Sequence, residues 1–541
     1  MPSIPSMPPM QSMPSMPSTV GISRSPTTTT VVPGIALVNA LLYQWPLYNY
    51  AVQNLELRGF QAIAILVTLF TLVFCTTALM LSLVSLLSHR LMLIVAILIF
   101  HANAVALYFV ASYKVVLDRT MMGNFFNTNP AEALELAHLD LAMYLVVFGL
   151  TPSVLLLLTP SRSSSMRNKL VLILSIVIGF SIVVYTNART WLWFDHHLKT
   201  VGALMMPWSY LVNSVRYQQR IWVKKQRVQP LPALHVVDPR QRLVVLVIGE
   251  SARAANFSIY GYARQTNPLL SRSDVVPIKN ARSCATYTTA AIQCMMTPRK
   301  KAYSFREQTE SLPVYFDRHN VQVQWLSNNS GEPPMPRRLK RGANQLRQGC
   351  AGEHCRFDEV LLSDIDRRLD SMQTGKSLLV LHPTGSHGPA YAKKIPPGFT
   401  RFTPTCETVQ LVNCSRQSLI NAYDNTVLYT DFLLHRLIDK LRERADIASV
   451  LIYVSDHGES LGEHGLYLHG TPMAIAPEEQ TVIPMIVWMS QAFKMQSQSN
   501  PAQMRLRDSN AHEHIFHSII GALGLTSSAY DPTRNLFRTP P

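Results

Sequence analysis

Five apolar stretches, over residues 31–48, 60–87, 91–116, 139–158 and 170–185, commit the first third of this chain to a membrane. Each is near or above the roughly 20 residues that cross a hydrocarbon core as a helix. In lipid only helices and closed barrels satisfy their own backbone hydrogen bonds. The pattern predicts an all-α bundle of five transmembrane helices over residues 31–187. Prolines and polar residues interrupt the first stretch, whose alternative is a re-entrant or interfacial helix. Composition agrees: 48% hydrophobic and 15% charged residues are too apolar for a soluble enzyme, and the excess lies before residue 190.

Short loops orient the bundle. Arg90 flanks the second connection and Arg162, Arg167 and Lys169 the fourth, which assigns both to the cytoplasm. The third, over 117–138, carries Asp118, Glu132 and Glu135 against Arg119 and faces outward. Five crossings from a cytoplasmic N-terminus put everything after Asn187 outside. Residues 1–30, repeats of Met, Pro, Ser and Thr without a charged n-region or cleavage site, read as a disordered tail or an over-extended start. Six of the seven cysteines fall beyond the last crossing as Cys284/Cys294, Cys350/Cys355 and Cys406/Cys414. Close pairs of this kind suit disulfides in an oxidising compartment, with a structural zinc site as the alternative. Residues 188–236 mix Trp191, Trp193, Phe194, Met205, Met206, Trp208 and Tyr210 with Arg189, His196, His197 and Lys199. This segment reads as an interfacial helical linker, or as a connector packed on the bundle.

From 237 to 541 the pattern changes to strands at 242–248, 321–326, 377–381, 450–454 and 482–487, with a helix over 418–442. The alternation predicts one soluble domain with a mostly parallel sheet and helices on both faces. Glu250, Thr288 (between Cys284 and Cys294), His387 and the pair Asp456-His457 fall at the carboxyl ends of apolar runs. Open α/β sheets hold their sites there. A carboxylate, an Asp-His pair and a further His suit the oxygen and nitrogen shell of zinc, beside which a hydroxyl can serve as nucleophile. This set points to a zinc-dependent transferase or hydrolase acting on a phosphate ester. Taken singly the residues say less: Glu250 reads as a loop carboxylate, His469 as a structural histidine, and one hydroxyl of Thr286, Thr288 and Thr289 as a helix cap.

Together the segments resemble a known family. They are Val247-Ile248-Gly249-Glu250-Ser251-Ala252-Arg253 with Gly261-Tyr262 and Asn267-Pro268, then Ser283-Cys284-Ala285-Thr286-Tyr287-Thr288 leading to Cys294. His387-Gly388-Pro389-Ala390-Tyr391 follows, and Asp456-His457-Gly458-Glu459-Ser460-Leu461-Gly462-Glu463 through Leu468-His469-Gly470. These are similar to the signatures of the lipid A phosphoethanolamine transferases of the alkaline-phosphatase superfamily, including the mobile colistin-resistance enzymes. The resemblance implies an α/β/α alkaline-phosphatase-like domain in the periplasm, carried by a multi-pass protein of the bacterial inner membrane. It implies transfer of phosphoethanolamine from phosphatidylethanolamine to a phosphate of lipid A, which lowers surface negative charge and gives polymyxin resistance. It assigns Glu250, Thr288, Asp456 and His457 to one tight zinc site, with Thr288 as the nucleophile that carries phosphoethanolamine. His387 and His469 resemble residues that bind the donor's phosphoryl oxygens, or a second zinc in some members. Met121, Met122, Asn124, Thr128 and Glu132 of the outward loop are similar to lipid-site residues. A monomer without a nucleic-acid partner is implied.

Two positions depart from the family. Colistin-resistance relatives tend to carry a phosphate-binding lysine after Asn328-Asn329-Ser330, where this chain has Gly331-Glu332-Pro333-Pro334 and its next cations are Arg337, Arg338 and Lys340. Ala285 stands where the family usually has glycine, beside Tyr287. The sulfatase alternative fails on spacing, because Cys294-Met295-Met296-Thr297-Pro298-Arg299 does not match Cys/Ser-x-Pro-x-Arg. Core lipopolysaccharide sugars and a periplasmic glucan are the alternative acceptors. A non-enzymatic membrane sensor of anionic glycolipid would suit the net charge of +16, but no zinc ligand or nucleophile is missing from the set.

Overall fold

The computed structural model describes residues 25–55, 60–128, 139–186, 191–226, 228–298, 308–372, 375–497, 499, 501–505 and 509–538. Helices α1 (Thr28–Leu42) and α2 (Trp45–Gln53) meet at a 50° bend. Next come α3 (Phe60–Leu87), α4 (His89–Tyr113), the short α5 (Arg119–Asn127), α6 (Leu139–Leu158) and α7 (Met166–Thr186). Four of these are long and apolar enough to cross a membrane alone, and the bent α1–α2 pair makes a fifth span when taken as one. Hydrogen bonds fix its ends. Thr28 Oγ1 lies 3.0 Å from His89 Nδ1, and His89 Nε2 3.0 Å from Ser161 Oγ, so the start of α1, the α3–α4 turn and the α6–α7 loop share one end. Asn54, beyond α2, accepts from Trp193 Nε1 on α8 (Trp191–Leu204), past the last span. The interruption seen in the sequence is the bend between α1 and α2. Helix α1 begins at Thr28, so the tail expected over residues 1–30 ends earlier, and its residues 1–24 lie outside the described residues.

Leu155, Leu158, Leu174 and Ile182 are more than half exposed. In water each such surface would cost about 25 cal/mol per Å²; against acyl chains it costs nothing, which makes this the lipid face. Several polar groups are instead buried and paired inside the bundle, away from the hydrocarbon. Asn39 Nδ2 donates to Thr77 Oγ1 (3.0 Å) and Met206 O (3.1 Å), Asn103 Nδ2 to Asn39 Oδ1 (2.7 Å), and Gln44 Nε2 to Met206 O (2.6 Å). Met206 lies between α8 and α9 (Trp208–Gln226), so this network ties the linker to the spans. Trp193, Phe194, Val201 and Met206 are buried against the bundle. Of the two readings of residues 188–236, the packed connector describes these side chains, because the aromatic rings fill gaps between helices.

The soluble half is built on strands β1 (Arg242–Gly249), β2 (Val276–Ile278), β3 (Gln322–Ser327), β4 (Lys340–Gly342), β5 (Lys376–His382), β6 (Ser449–Ser455) and β7 (Met485–Met489). They lie in the order β2-β7-β6-β1-β5-β3-β4, and only β7 runs antiparallel. Every residue of β1 is buried. Leu243, Val245 and Val247 point into one core with the helix α11 (Arg416–Arg442), and Val244, Leu246 and Ile248 into another with α10 (Thr288–Met295). A strand covered on both faces reads as a continuous apolar run, which is why it was visible in the sequence.

Disulfides Cys284–Cys294, Cys350–Cys355 and Cys406–Cys414 are all formed, and Cys75 is free and buried in the bundle. The first links residues ten apart and holds the base of α10. Closing such a loop removes about 2–3 kcal/mol of chain entropy from the unfolded state. A Cys284→Ser/Cys294→Ser variant is expected to lose about that much stability, read as a lower midpoint in urea; an unchanged midpoint would contradict it.

Candidate active site

In-register pairing of β1 and β6 aligns Gly249 with Ser455. The next residues, Glu250 and Asp456, therefore emerge side by side at the strand ends, and Asp456 N donates to Gly249 O (2.9 Å). The loop after β5 closes over them, with Ser386 N on Glu250 O (3.0 Å). Gly458 must be glycine, since a Cβ there would stand 2.0 Å from Glu479 O. Thr288 arrives from the other side as the first residue of α10. Tyr287 is the N-cap and Thr286 Oγ1 donates to Thr471 O, so Thr288 is not spent on capping.

Thr288 Oγ1 lies 3.2 Å from Glu250 Oε2 and 3.4 Å from His457 Nε2, while His457 Nε2 lies 3.3 Å from Glu250 Oε1 and 3.2 Å from Asp456 Oδ2. Ligands placed tetrahedrally at about 2.0–2.1 Å from zinc stand about 3.3–3.4 Å apart. All four distances match that edge. Glu250, Asp456 and His457 are essentially inaccessible to water. Asp456 Oδ2 is buried without a hydrogen-bond partner. Burial would lower the His457 pKa, but the charges of Asp456 and Glu250 raise it to about 10. Burial pushes the Glu250 carboxyl up, yet His457 and then His387 and His469 hold it well below its ordinary value. Asp456 is pushed well above its own, by burial and then by Glu250. Two buried carboxylates thus borrow the charge of one imidazolium, and the donor set fits a divalent cation better than a proton.

Three supporting residues were not marked as functional in the sequence. Asn329 Nδ2 donates to Glu250 Oε2 (2.9 Å). Asp358 accepts from Asn328 Nδ2, Thr384 N and Gly385 N, which joins the loop before His387 to the end of β3. Glu459, set aside as a solvated or supporting carboxylate, is fully buried; it accepts from Tyr391 OH (2.6 Å) and lies 2.8 Å from His469 Nδ1. A carboxylate on one ring nitrogen fixes the orientation of the imidazole. A Glu459→Gln variant is expected to slow turnover about 10- to 100-fold with metal content unchanged; full activity, or loss of metal, would contradict this role.

Residues 242–525 match the sulfatase family, and residues 72–221 match the family described as phosphoethanolamine transferase EptA/EptB. The chain is 38% identical over 493 residues to the phosphoethanolamine transferase EptA of Helicobacter pylori, covering 90% of this chain and 91% of that one. The chain belongs to the phosphoethanolamine transferase family. It is also 33% identical over 421 residues to the phosphatidylethanolamine transferase Mcr-1 of Escherichia coli, covering 73% and 77%. Its structure is similar to the integral membrane lipooligosaccharide phosphoethanolamine transferase A of Neisseria meningitidis, with a TM-score of 0.86 and 28% identity over 94% of this chain and 98% of that one.

In this phosphoethanolamine transferase both halves build the site. A cleft open to solvent is lined by Met121, Asn124 and Thr128 from α5 and its end and by Thr288, Asn329, His387 and His469 from the soluble half. Met122 turns away and is buried beside Ser214, and Glu132 lies outside the described residues. Burial drops the His387 pKa to about 3, and its Nδ1 is buried without a hydrogen-bond partner. Gly331 sits over Thr288: a Cβ there would stand 3.1 Å from Thr288 Cγ2. Among the described residues no cation of the following segment lines the cleft, because Arg338 is held by Asp317 and Lys340 by Glu332. Tyr287 packs within 4 Å of the Cβ position of Gly123 on α5, so the second departure lies at the contact between the halves.

Proposed function

We propose that this transferase takes phosphoethanolamine from phosphatidylethanolamine and places it on a phosphate of lipid A by way of Thr288. The observation that carries the reading is the set of four near-equal distances among Glu250, Thr288, Asp456 and His457, at the floor of a cleft that opens onto the membrane half. Zinc held by these four residues would lower the pKa of the hydroxyl and offset charge developing on phosphorus. Thr288 Oγ attacks the phosphodiester, the bond to the diacylglycerol oxygen breaks, and the hydroxyl proton ends on that oxygen, so diacylglycerol leaves as the alcohol and phosphoethanolamine is then on Thr288. His387 and His469, the latter held by Glu459, line the cleft and would bind the phosphoryl oxygens, whose charge grows in the transition state. A phosphate oxygen of lipid A then displaces Thr288. The added ammonium offsets an anionic phosphate, weakens binding of cationic peptides and so gives polymyxin resistance.

The name of Mcr-1 supports phosphatidylethanolamine as donor, and that of the Neisseria meningitidis protein supports a lipooligosaccharide acceptor. A second reading has its own support: the Kdo(2)-lipid A phosphoethanolamine 7''-transferase of Escherichia coli is 30% identical over 302 residues, which favours a core sugar as acceptor. Mass spectrometry of lipid A from expressing cells separates the two. A phosphoethanolamine adduct on lipid A is expected; an adduct confined to the core would establish the second reading, and none on either would refute both.

A further inference from the structure

We propose that the loop over residues 472–477 is a membrane-contacting surface, whose partner is the headgroup and upper acyl region of the leaflet on the catalytic side. Pro472, Met473, Ala474, Ile475, Ala476 and Pro477 carry no charge and no hydrogen-bonding side chain. Yet Met473 and Ile475 are 46% and 62% exposed. A loop in water ordinarily presents polar residues, and a run of exposed apolar ones marks a contact.

The loop's place in the fold identifies that contact. It leaves Gly470, whose N donates to Thr286 O and whose Cβ position lies 2.9 Å from Asn124 Nδ2. Asn124 belongs to α5, the first helix after α4 ends. Its neighbours Phe125 and Phe126 are exposed, and Phe126 stacks on Tyr217 of α9. Aromatic rings at the end of a span mark the level where bilayer meets water. On another side of the cleft Tyr113 OH, at the end of α4, donates to Val409 O in the loop closed by Cys406–Cys414, where Val412 is also exposed. The apolar loop therefore begins two residues after Gly470, which meets α5, and three after His469, which lines the cleft with Thr288. Seated in the leaflet, it would let a lipid headgroup enter the cleft without carrying its tails through water. That last consequence rests on the proposed lipid donor; the contact itself does not.

The test uses the full chain in vesicles of phosphatidylethanolamine and phosphatidylglycerol. With Cys75→Ala to remove the free thiol, a nitroxide on Ile475→Cys is compared with one on Glu443→Cys, an exposed position past the end of α11. Higher accessibility to oxygen than to a water-soluble nickel chelate is expected at 475, and the reverse at 443. The same behaviour at both, or a label at 475 shielded from both reagents, would overturn the proposal without touching the reaction. As a second readout, Met473→Ser/Ile475→Ser is expected to raise KM for vesicle-borne phosphatidylethanolamine about fivefold, with kcat and turnover of a water-soluble phosphoethanolamine ester unchanged. An unchanged KM, or an equal loss on both substrates, would also overturn it.

Discussion

Thr288→Ala will abolish transfer, with a loss of at least about 10³-fold, as removal of a covalent nucleophile does when the rest of the machinery stays in place. The substitution deletes one hydroxyl and one methyl at the start of α10, and Thr288 makes no capping bond that the helix would miss. The protein should therefore fold, pack its two halves and keep Glu250, Asp456 and His457 in position. Mass spectrometry of the denatured wild-type protein after mixing with donor alone should find phosphoethanolamine on the peptide containing Thr288, and none on the variant. Transfer surviving in the variant would refute the covalent route, and would leave direct attack by the acceptor in its place.

The second large effect is on metal. Asp456→Asn keeps the shape of the side chain and removes one of two buried carboxylates that face one another. Metal content and activity should both collapse, activity by at least about 10³-fold. Stability should move in opposite directions with and without metal. In the metal-free state the variant relieves repulsion with Glu250 and should be no less stable than wild type. With metal present only wild type gains, by about 2.7 kcal/mol at a hundredfold excess over Kd. A chelator should thus lower the melting temperature of wild type and leave the variant unmoved. Equal sensitivity in both would mean that metal binds elsewhere.

Much of this molecule was legible in its sequence, and what was hidden shares a physical cause. Spans and strands were readable because each is a continuous apolar run whose length reports its environment, as in the fully buried β1. The convergence of Glu250, Asp456 and His457 was readable because strand ends are where such sheets gather their site residues, and family spacing singled out Thr288 among three threonines. The bend between α1 and α2 left its mark as prolines and polar residues, but the hydrogen bonds that hold the start of α1 join residues 61 and 72 apart. Glu459 looked like any acidic loop residue because its partner Tyr391 is 68 positions away. Asp358 and Asn329 act through loops that meet only once the sheet is assembled. Each miss is a long-range hydrogen bond between residues that are locally ordinary.

The bridge at the base of α10 bears on when, as well as where, this protein can act. Both cysteines lie in the half that follows the last span, and the loop they close contains Thr288. Until that bridge forms, the helix that presents the hydroxyl is tethered at one end fewer, and oxidation occurs only beyond the membrane. Maturation is thereby coupled to export: the newly made chain passes a compartment rich in reducing thiols before the segment that contains Thr288 is closed.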